Sequence, residues 1–179
     1  DLRDIAAYVI DTEHDIKWAL KVSNYVKLAC DYSISHGIEV LQMDDLYWKT
    51  LKLEAPYLFD SYLLYLEKNR QEKDRFYSPK REQLNRHGLI SAMQDLEDDV
   101  LDILSISMPP GTQKTTLEKF FISWVIGRHP DDYNLFYSHS DDITRVFYDG
   151  VLDITTNSEE YTWNEIFPNV PLLRTDAKR

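Results

Sequence analysis

The sequence contains very little cysteine and no long apolar run. Cys30 is the single cysteine among 179 residues, which excludes internal disulfides and any zinc site built from cysteines. No apolar stretch approaches the 18 residues that mark a transmembrane helix, and no signal peptide is visible. We therefore expect no membrane partner. The chain begins at Asp1 rather than Met, so we expect either a fragment of a longer protein or a processed chain.

Positive charge is also scarce. The 20 Lys and Arg residues face 31 Asp and Glu residues, which gives a formal net charge of −11. Such a surface repels nucleic acid, so DNA contact would need a local basic patch or another part of a larger protein. A length of 179 residues and a hydrophobic content of 43% fit one globular domain, or one small domain with an appendage.

The first part of the chain carries a helical pattern. Apolar residues at helical spacing predict helices over 15–36, 46–53 and about 57–73. The segment 67–75 is dense in charge and marks the main boundary. We therefore predict an all-helical segment over 1–75 and a second domain over 76–179.

The second part of the chain alternates between patterns typical of helices and patterns typical of strands. A helix over 80–96 ends in the acidic stretch 95–102, which we interpret as a solvated loop, with a metal site as the alternative. Apolar runs at 103–108 and 133–137 predict strands on either side of a helix over 114–125. This is the pattern of a parallel, right-handed βαβ unit. We therefore predict an α/β fold with a partial parallel sheet flanked by helices, and a further helix from Asp141.

The junction between the first strand and the next helix resembles a phosphate-binding loop. The strict pattern is G-x-x-x-x-G-K-[ST], and the chain reads MPPGTQKT from Met108. Lys114 and Thr115 match, whereas Met108 and Gln113 replace the two glycines. An ordinary strand-to-helix turn is the alternative. In a working loop, Lys114 would contact the β- and γ-phosphates and Thr115 would ligate Mg²⁺.

Other reactive residues carry weaker patterns. The histidines show no paired metal spacing, and Ser138 and Ser140 fit helix capping better than nucleophilic catalysis. Arg128 fits a helix end as well as a phosphate contact. Three tyrosines could stack on bases, although their helical spacing favours a core position: Tyr57, Tyr62 and Tyr65.

Together with its flanks, the loop resembles one protein family. The relevant stretches are FYSPKREQLNRHGLISAMQDLE, ILSISMPPGTQKTTLEKFFISWVIGRHPDD, LFYSHSDDITRVFYDGV and WNEIFPNV, which fall within residues 76–170. Pro-Pro before Lys-Thr, Gly-Arg-His-Pro-Asp after the helix, Ser-x-Ser and Ile-Phe-Pro are the distinctive features. They resemble the N-terminal ATPase region of phage terminase large subunits, the DNA-packaging motors.

The resemblance implies a P-loop NTPase-like sheet and a nucleotide site. It implies ATP and Mg²⁺ as ligands, double-stranded DNA, the small terminase subunit and the portal protein as partners of the full-length motor, and the cytoplasm of a bacterial host as its location. The implied catalytic residue is Lys114, and the implied metal ligand is Thr115. The implied nucleotide-binding residues are Pro110, Gly111, Thr112, Gln113, Lys114, Thr115, Thr116, Tyr77 and Arg81, the last two near the adenine.

The chain departs from the family pattern at two places. Gly111 stands where family loops often carry an arginine, and Gln113 stands where they carry glycine. A second, Asp- and Glu-ended strand is also missing, because 146–149 and 151–153 fit a helix better. We expect ATP hydrolysis only in a longer protein. The alternative function is a non-catalytic helical interaction module with a degenerate phosphate loop.

Overall fold

The computed structural model describes residues 16–37 and 43–170. These residues divide into two compact units, one running up to Tyr65 and the other starting at Leu66. Within the described residues, all regular structure is helical, and no helix there is long and apolar enough to cross a membrane. The predicted features before residue 16 lie outside the described part.

The described residues of the first unit form three helices. They are α1 (Ile16–Ser35), α2 (Met43–Glu54) and α3 (Phe59–Leu66), whose last residue already belongs to the second unit. The prediction of helices over 15–36 and 46–53 is confirmed, and α1 gives way to a turn at Gly37, which has a φ of +62°. This left-handed conformation explains why glycine follows the helix.

A buried ion pair lies at the centre of the first unit. Lys27 Nζ donates hydrogen bonds to Glu54 Oε2 at 2.8 Å and to Ser61 Oγ at 2.9 Å. Ser23 Oγ donates to Glu54 Oε1 at 2.7 Å. Both oxygens of the Glu54 carboxylate therefore have a donor, as a buried carboxylate requires. The network connects α1, α2 and α3.

The same arrangement leaves an apolar stripe of α1 exposed. The sequence pattern predicts that Tyr25, Leu28 and Tyr32 lie on the buried stripe of this helix, but all three are exposed. The buried face of α1 instead carries Ser23, Lys27 and Cys30. Hydrophobic spacing alone misidentified the inward face because the interior contains a hydrogen-bonded polar network.

From residue 66 to residue 170, the second unit contains five helices and two 3₁₀ turns besides the last residue of α3. The helices are α4 (Arg81–Arg86), α5 (Leu89–Glu97), α6 (Lys114–Arg128), α7 (Asp141–Thr156) and α8 (Trp163–Ile166), and the turns span Glu72–Asp74 and Ser78–Lys80. The predicted helix over 80–96 is divided at Gly88, whose φ of +68° cannot belong to a right-handed helix. The starts predicted for α6 and α7 are confirmed.

A buried carboxylate ends α3 earlier than the sequence pattern indicates. Glu67 is 1% exposed and accepts hydrogen bonds from the backbone N–H groups of Phe76 and Tyr77, at 2.9–3.0 Å and 2.9 Å. Arg70 Nη1 lies 3.2 Å from the same carboxylate. The chain therefore turns back after Leu66, and the predicted helix over 57–73 is too long.

Two tryptophans lie at the centre of the second unit. Trp124 and Trp163 are fully buried, and Trp163 Nε1 donates a hydrogen bond to the carbonyl oxygen of Ser123 at 2.8 Å. Ile166 and Phe167 are buried beside them in the chain. The 163–167 segment is therefore part of the core of the second unit.

The predicted parallel sheet is wrong. Residues 103–109 and 133–137 are free of helix, as the sequence pattern indicates, but they form no β ladder with any described residue. Ile103 is 85% exposed and Leu135 is 96% exposed, although Phe136 stacks on the buried Phe147 ring with the ring centres 3.8 Å apart. A strand needs a paired neighbour to satisfy its backbone groups, and the apolar pattern of a segment cannot show that such a neighbour exists. The described fold is all-helical rather than α/β.

Candidate functional site

The loop before α6 has two residues in left-handed conformations. Gly111 has a φ of +82°, and Gln113 has φ and ψ of 61° and 32° at the position just before the helix. Thr112 Oγ1 donates a hydrogen bond to the carbonyl oxygen of Pro109 at 2.9 Å and closes the turn. Gln113 thus adopts a conformation that glycine takes at lower cost.

The loop directs the N-terminus of α6 into solvent. Thr116 N donates to the carbonyl oxygen of Gln113 at 3.0 Å, while the N–H groups of Lys114 and Thr115 make no backbone hydrogen bond to a described residue. No acidic side chain occupies the first turn of α6. Free N–H groups and the positive end of the helix dipole together favour an anion at this position.

Lys114 is the first residue of α6 and is partly exposed. It forms no ion pair with a described residue of the chain. Its ammonium group therefore has no counterion among the residues that the structure describes. Thr115 is exposed, and Thr116 is partly buried.

A second lysine reaches the loop from the 3₁₀ turn at Ser78–Lys80. Lys80 Nζ donates a hydrogen bond to Gln113 Oε1 and lies 4.4 Å from the centre of the Phe76 ring. The Gln113 side chain is therefore engaged with Lys80. Lys80 was missed by the sequence analysis, because 33 residues separate it from Gln113 and no motif connects them.

The two residues that were predicted to lie near the adenine have different surroundings from each other. Tyr77 is fully buried, and its hydroxyl oxygen accepts a hydrogen bond from Asn85 Nδ2 at 3.0 Å. Its ring offers no exposed face for stacking on a base. Arg81 opens α4 and is partly buried. The predicted phosphate-binding residues therefore lie in the turn before α6 and in the first turn of that helix. Tyr77 instead belongs to the core.

The remaining candidates have ordinary structural roles. Tyr62 and Tyr65 are buried, and Tyr57 is partly exposed. Ser140 precedes α7 with extended backbone and accepts a hydrogen bond from Thr144 through its carbonyl oxygen. The segments 146–149 and 151–153 lie within α7, in agreement with the helical interpretation. Across the described ranges, no group of three or more His, Cys, Asp and Glu residues is arranged to hold a metal ion.

The acidic stretch after α5 borders a cavity of about 540 Å³, which we call the carboxylate cavity. Its walls include the four carboxylates of Glu97, Asp98, Asp99 and Asp132, together with Arg128 and His129. Burial raises the pKa of Glu97, and the nearby charges of Arg128 and His129 oppose that rise. The sequence indicated a solvated loop here, and residues 98–100 are exposed. Local patterns did not show that Arg128 and His129 lie beside it.

No protein family, curated protein or solved structure matches this chain. The resemblance to terminases therefore depends only on the sequence stretches quoted above. The loop before α6 is the candidate functional site because its geometry suits a phosphate group.

Proposed function

We propose that this chain is the N-terminal portion of a phage terminase large subunit and that residues Pro110–Thr116 bind the phosphates of ATP. In the full-length motor, hydrolysis of that ATP drives translocation of DNA into the capsid. The observation that carries the proposal is the exposed N-terminus of α6, which begins at Lys114, a residue without a counterion in the described ranges 16–37 and 43–170. The quoted sequence stretches supply the family assignment.

The first support for phosphate binding is the set of donors. The N–H groups of Lys114 and Thr115 are free of backbone acceptors within the described residues, and Lys114 itself carries a partly exposed ammonium side chain. A phosphate group accepts such hydrogen bonds strongly because it is charged. The Thr115 hydroxyl group is exposed beside them and is the residue that would ligate Mg²⁺.

The second support is the position of the Gln113 side chain. A side chain at this point narrows a phosphate site unless it is directed elsewhere, and the hydrogen bond with Lys80 directs it elsewhere. The same contact places a second ammonium group next to the loop. The local charge is therefore positive on a chain whose net charge is −11.

The other parts of the proposal concern the complete motor. Double-stranded DNA, the small terminase subunit and the portal protein are its proposed partners, and the cytoplasm of the bacterial host is its proposed location. The described residues contain no carboxylate-ended strand to position water, so we expect ATP binding by this chain without turnover. A longer protein would supply that part of the active site.

The test is isothermal titration of the chain with ATP in the presence of Mg²⁺. We expect binding, and we expect Lys114→Ala to weaken it by at least about tenfold, because hydrogen bonds to charged groups contribute about 1.5–3 kcal/mol. Lys73→Ala is the matched control. It removes the same charge from an exposed 3₁₀ turn and should leave the affinity within about twofold.

Two results would contradict the proposal. One is the absence of binding at millimolar ATP, and the other is an equal loss of affinity in Lys114→Ala and Lys73→Ala. Circular dichroism of each variant establishes that the helices are retained.

A second candidate function is a non-catalytic interaction module, and the exposed stripe of α1 favours it. Tyr25, Leu28 and Tyr32 place aromatic and aliphatic surface in solvent, and such patches often mark protein contacts. In this alternative the helical first part binds a partner protein and the loop before α6 binds nothing. Failure to bind ATP, combined with capture of the purified small terminase subunit or portal protein that Leu28→Lys abolishes, would favour the module over the ATPase.

A further inference from the structure

A short apolar segment of the second unit, residues 133–137, lies in solvent between α6 and α7. Tyr133 is fully exposed, and the exposed fractions of Leu135, Phe136 and Tyr137 alternate at 96%, 37% and 90%. Such alternation is typical of an extended chain, whose side chains point to opposite faces in turn. Large apolar side chains that follow one another on a surface mark a contact site, whereas isolated ones do not.

The segment is attached to the body of the unit at its centre. The Phe136 ring stacks on the Phe147 ring of α7, with the ring centres 3.8 Å apart and the planes within 4° of each other. Phe147 is itself buried. Since this contact already holds the segment in place, a partner would not have to supply all of the ordering entropy on binding.

The backbone of the segment has no partner within the described part of the chain. The N–H and C=O groups of residues 133–139 make no hydrogen bond to the backbone of a described residue. Two free rows of alternating donors and acceptors are a template for strand addition. Another extended polypeptide matches such a row, whereas a helix has already used its own backbone groups.

Negative charge flanks the segment at both ends. Asp131 and Asp132 precede it, Asp141 and Asp142 follow it, and all four are exposed. None of them forms an ion pair with a described residue. A chain that lies along the segment therefore meets uncompensated carboxylates at each end, and charge complementarity favours basic residues there.

The same charges oppose pairing between two copies of this chain. If two such segments paired, aspartates would face aspartates in either the parallel or the antiparallel direction. Each copy also carries a net charge of −11, which adds long-range repulsion. The charge pattern therefore favours a different, basic protein over a second copy.

We propose that residues 133–137 bind an extended segment of a partner protein in which apolar side chains alternate and Lys or Arg residues stand at both ends. The partner pairs with the free backbone groups, and its apolar side chains pack beside Leu135 and Tyr137. A two-stranded ribbon alone is only marginally stable in water, so the affinity is in the micromolar range and falls as salt screens the charges. The proposal is independent of ATP binding, so Lys114→Ala should leave it unchanged.

The first test is fluorescence anisotropy of the whole chain with the fluorescein-labelled peptide Lys-Arg-Val-Thr-Val-Thr-Val-Thr-Val-Arg-Lys-amide at low salt. We expect Asp131→Asn combined with Asp141→Asn to weaken binding about three- to tenfold, because one exposed ion pair is lost at each end. The matched control, Asp74→Asn combined with Glu159→Gln, removes the same charge at exposed positions elsewhere in the second unit. It should change the affinity less than about twofold.

The second test places the peptide on the segment. Leu135→Asn removes an apolar side chain that is almost fully exposed, so it should weaken binding about two- to fivefold without loss of helix by circular dichroism. Val100→Asn is the matched control, since Val100 is an exposed apolar residue of the same unit. Its effect should stay below about twofold.

The third test asks whether the backbone of the peptide pairs with the segment. Successive N–H groups of an extended chain point to opposite edges. Methylation of the central valine nitrogens and methylation of the central threonine nitrogens therefore remove donors from different edges. One of these two peptides should lose at least about tenfold in affinity, because several backbone hydrogen bonds are lost, and the other should bind nearly as the parent does.

Several results would overturn the proposal. They are equal affinities of the two methylated peptides, equal losses in the aspartate variants and their control, equal losses in Leu135→Asn and Val100→Asn, and no binding at millimolar peptide. Equal binding of a peptide with Glu in place of its basic residues would do the same. Sedimentation of the chain alone tests the second copy as occupant, and a dimer that Leu135→Asn dissociates would also overturn the proposal.

Discussion

Burial of a single carboxylate gives the stability of this chain a distinct pH dependence. The pKa of Glu97 is raised above its ordinary value of 4.5, chiefly by desolvation. The unfolded chain therefore releases this proton at a lower pH than the folded chain does. Ionisation of Glu97 favours unfolding, so its contribution to stability is lost as the pH rises from about 4.5 through the raised pKa.

We predict that Glu97→Gln removes this part of the pH dependence. As the pH rises above about 4.5, the free energy of unfolding of the natural chain should fall more steeply than that of the variant. Urea denaturation at a series of pH values measures the difference, with the exposed Glu159→Gln as the control. Identical slopes for the natural chain and for Glu97→Gln would contradict the prediction.

At the scale of single residues, the sequence identified the loop but not its surroundings. Lys114 and Thr115 stand out because a short motif describes them. Lys80, which engages Gln113, lies 33 positions earlier and could not be found from local patterns. Tyr77 was predicted near the adenine, whereas burial places it in the core. The positions of Lys80 and Tyr77 both depend on contacts with residues that are distant in the sequence or on burial, which a local pattern does not contain.

Among the helices, those with strong local signals were predicted best. α6 follows a Pro-Pro-Gly turn, and α7 starts with two aspartates that suit a helix N-terminus. The end of α3 and the break between α4 and α5 were missed. The first depends on the hydrogen bonds of Glu67 with residues nine and ten positions later, and the second on the left-handed Gly88.

Two glycines within helices provide a matched pair of substitutions. Gly127 in α6 lies against the ring of Phe167, which an added Cβ would overlap, whereas a Cβ at Gly150 in α7 would meet only the flexible end of Lys119. We predict that Gly127→Ala destabilises the chain by about 1–3 kcal/mol, because the ring must move. Gly150→Ala should be neutral or up to about 1 kcal/mol more stable, because alanine favours helix.

Thermal or chemical denaturation of the two alanine variants measures this difference. Gly150→Ala serves as the control for the general effect of replacing a helical glycine. Equal changes in the free energy of unfolding would contradict the prediction. They would show that the Phe167 ring leaves room for a Cβ at position 127.

Extended segments were the least predictable elements. The apolar runs at 103–108 and 133–137 have strand-like composition, and both are non-helical. Pairing in a sheet depends on other segments of backbone, which a local pattern does not contain. The prediction that these segments are not helical is therefore confirmed, whereas the predicted strands and the predicted fold class are wrong.

For the molecule as a whole, the net charge determines whether double-stranded DNA binds to it. We predict no measurable binding of double-stranded DNA at physiological salt, with any dissociation constant weaker than about 10⁻⁴ M. The net charge of −11 repels the phosphate backbone, and one or two lysines at the loop before α6 cannot offset it. Fluorescence anisotropy of a labelled duplex provides the measurement. Binding in the micromolar range would show that a basic patch has been overlooked.

The Glu67 carboxylate has a practical consequence for protein engineering. Its hydrogen bonds to Phe76 and Tyr77 fix the two ends of the turn, while residues 71–74 between them are all exposed. Extra residues inserted after Glu72 would lengthen the exposed part and leave the fixed ends in place. This turn is therefore the position of choice for an epitope tag or a fluorescent label.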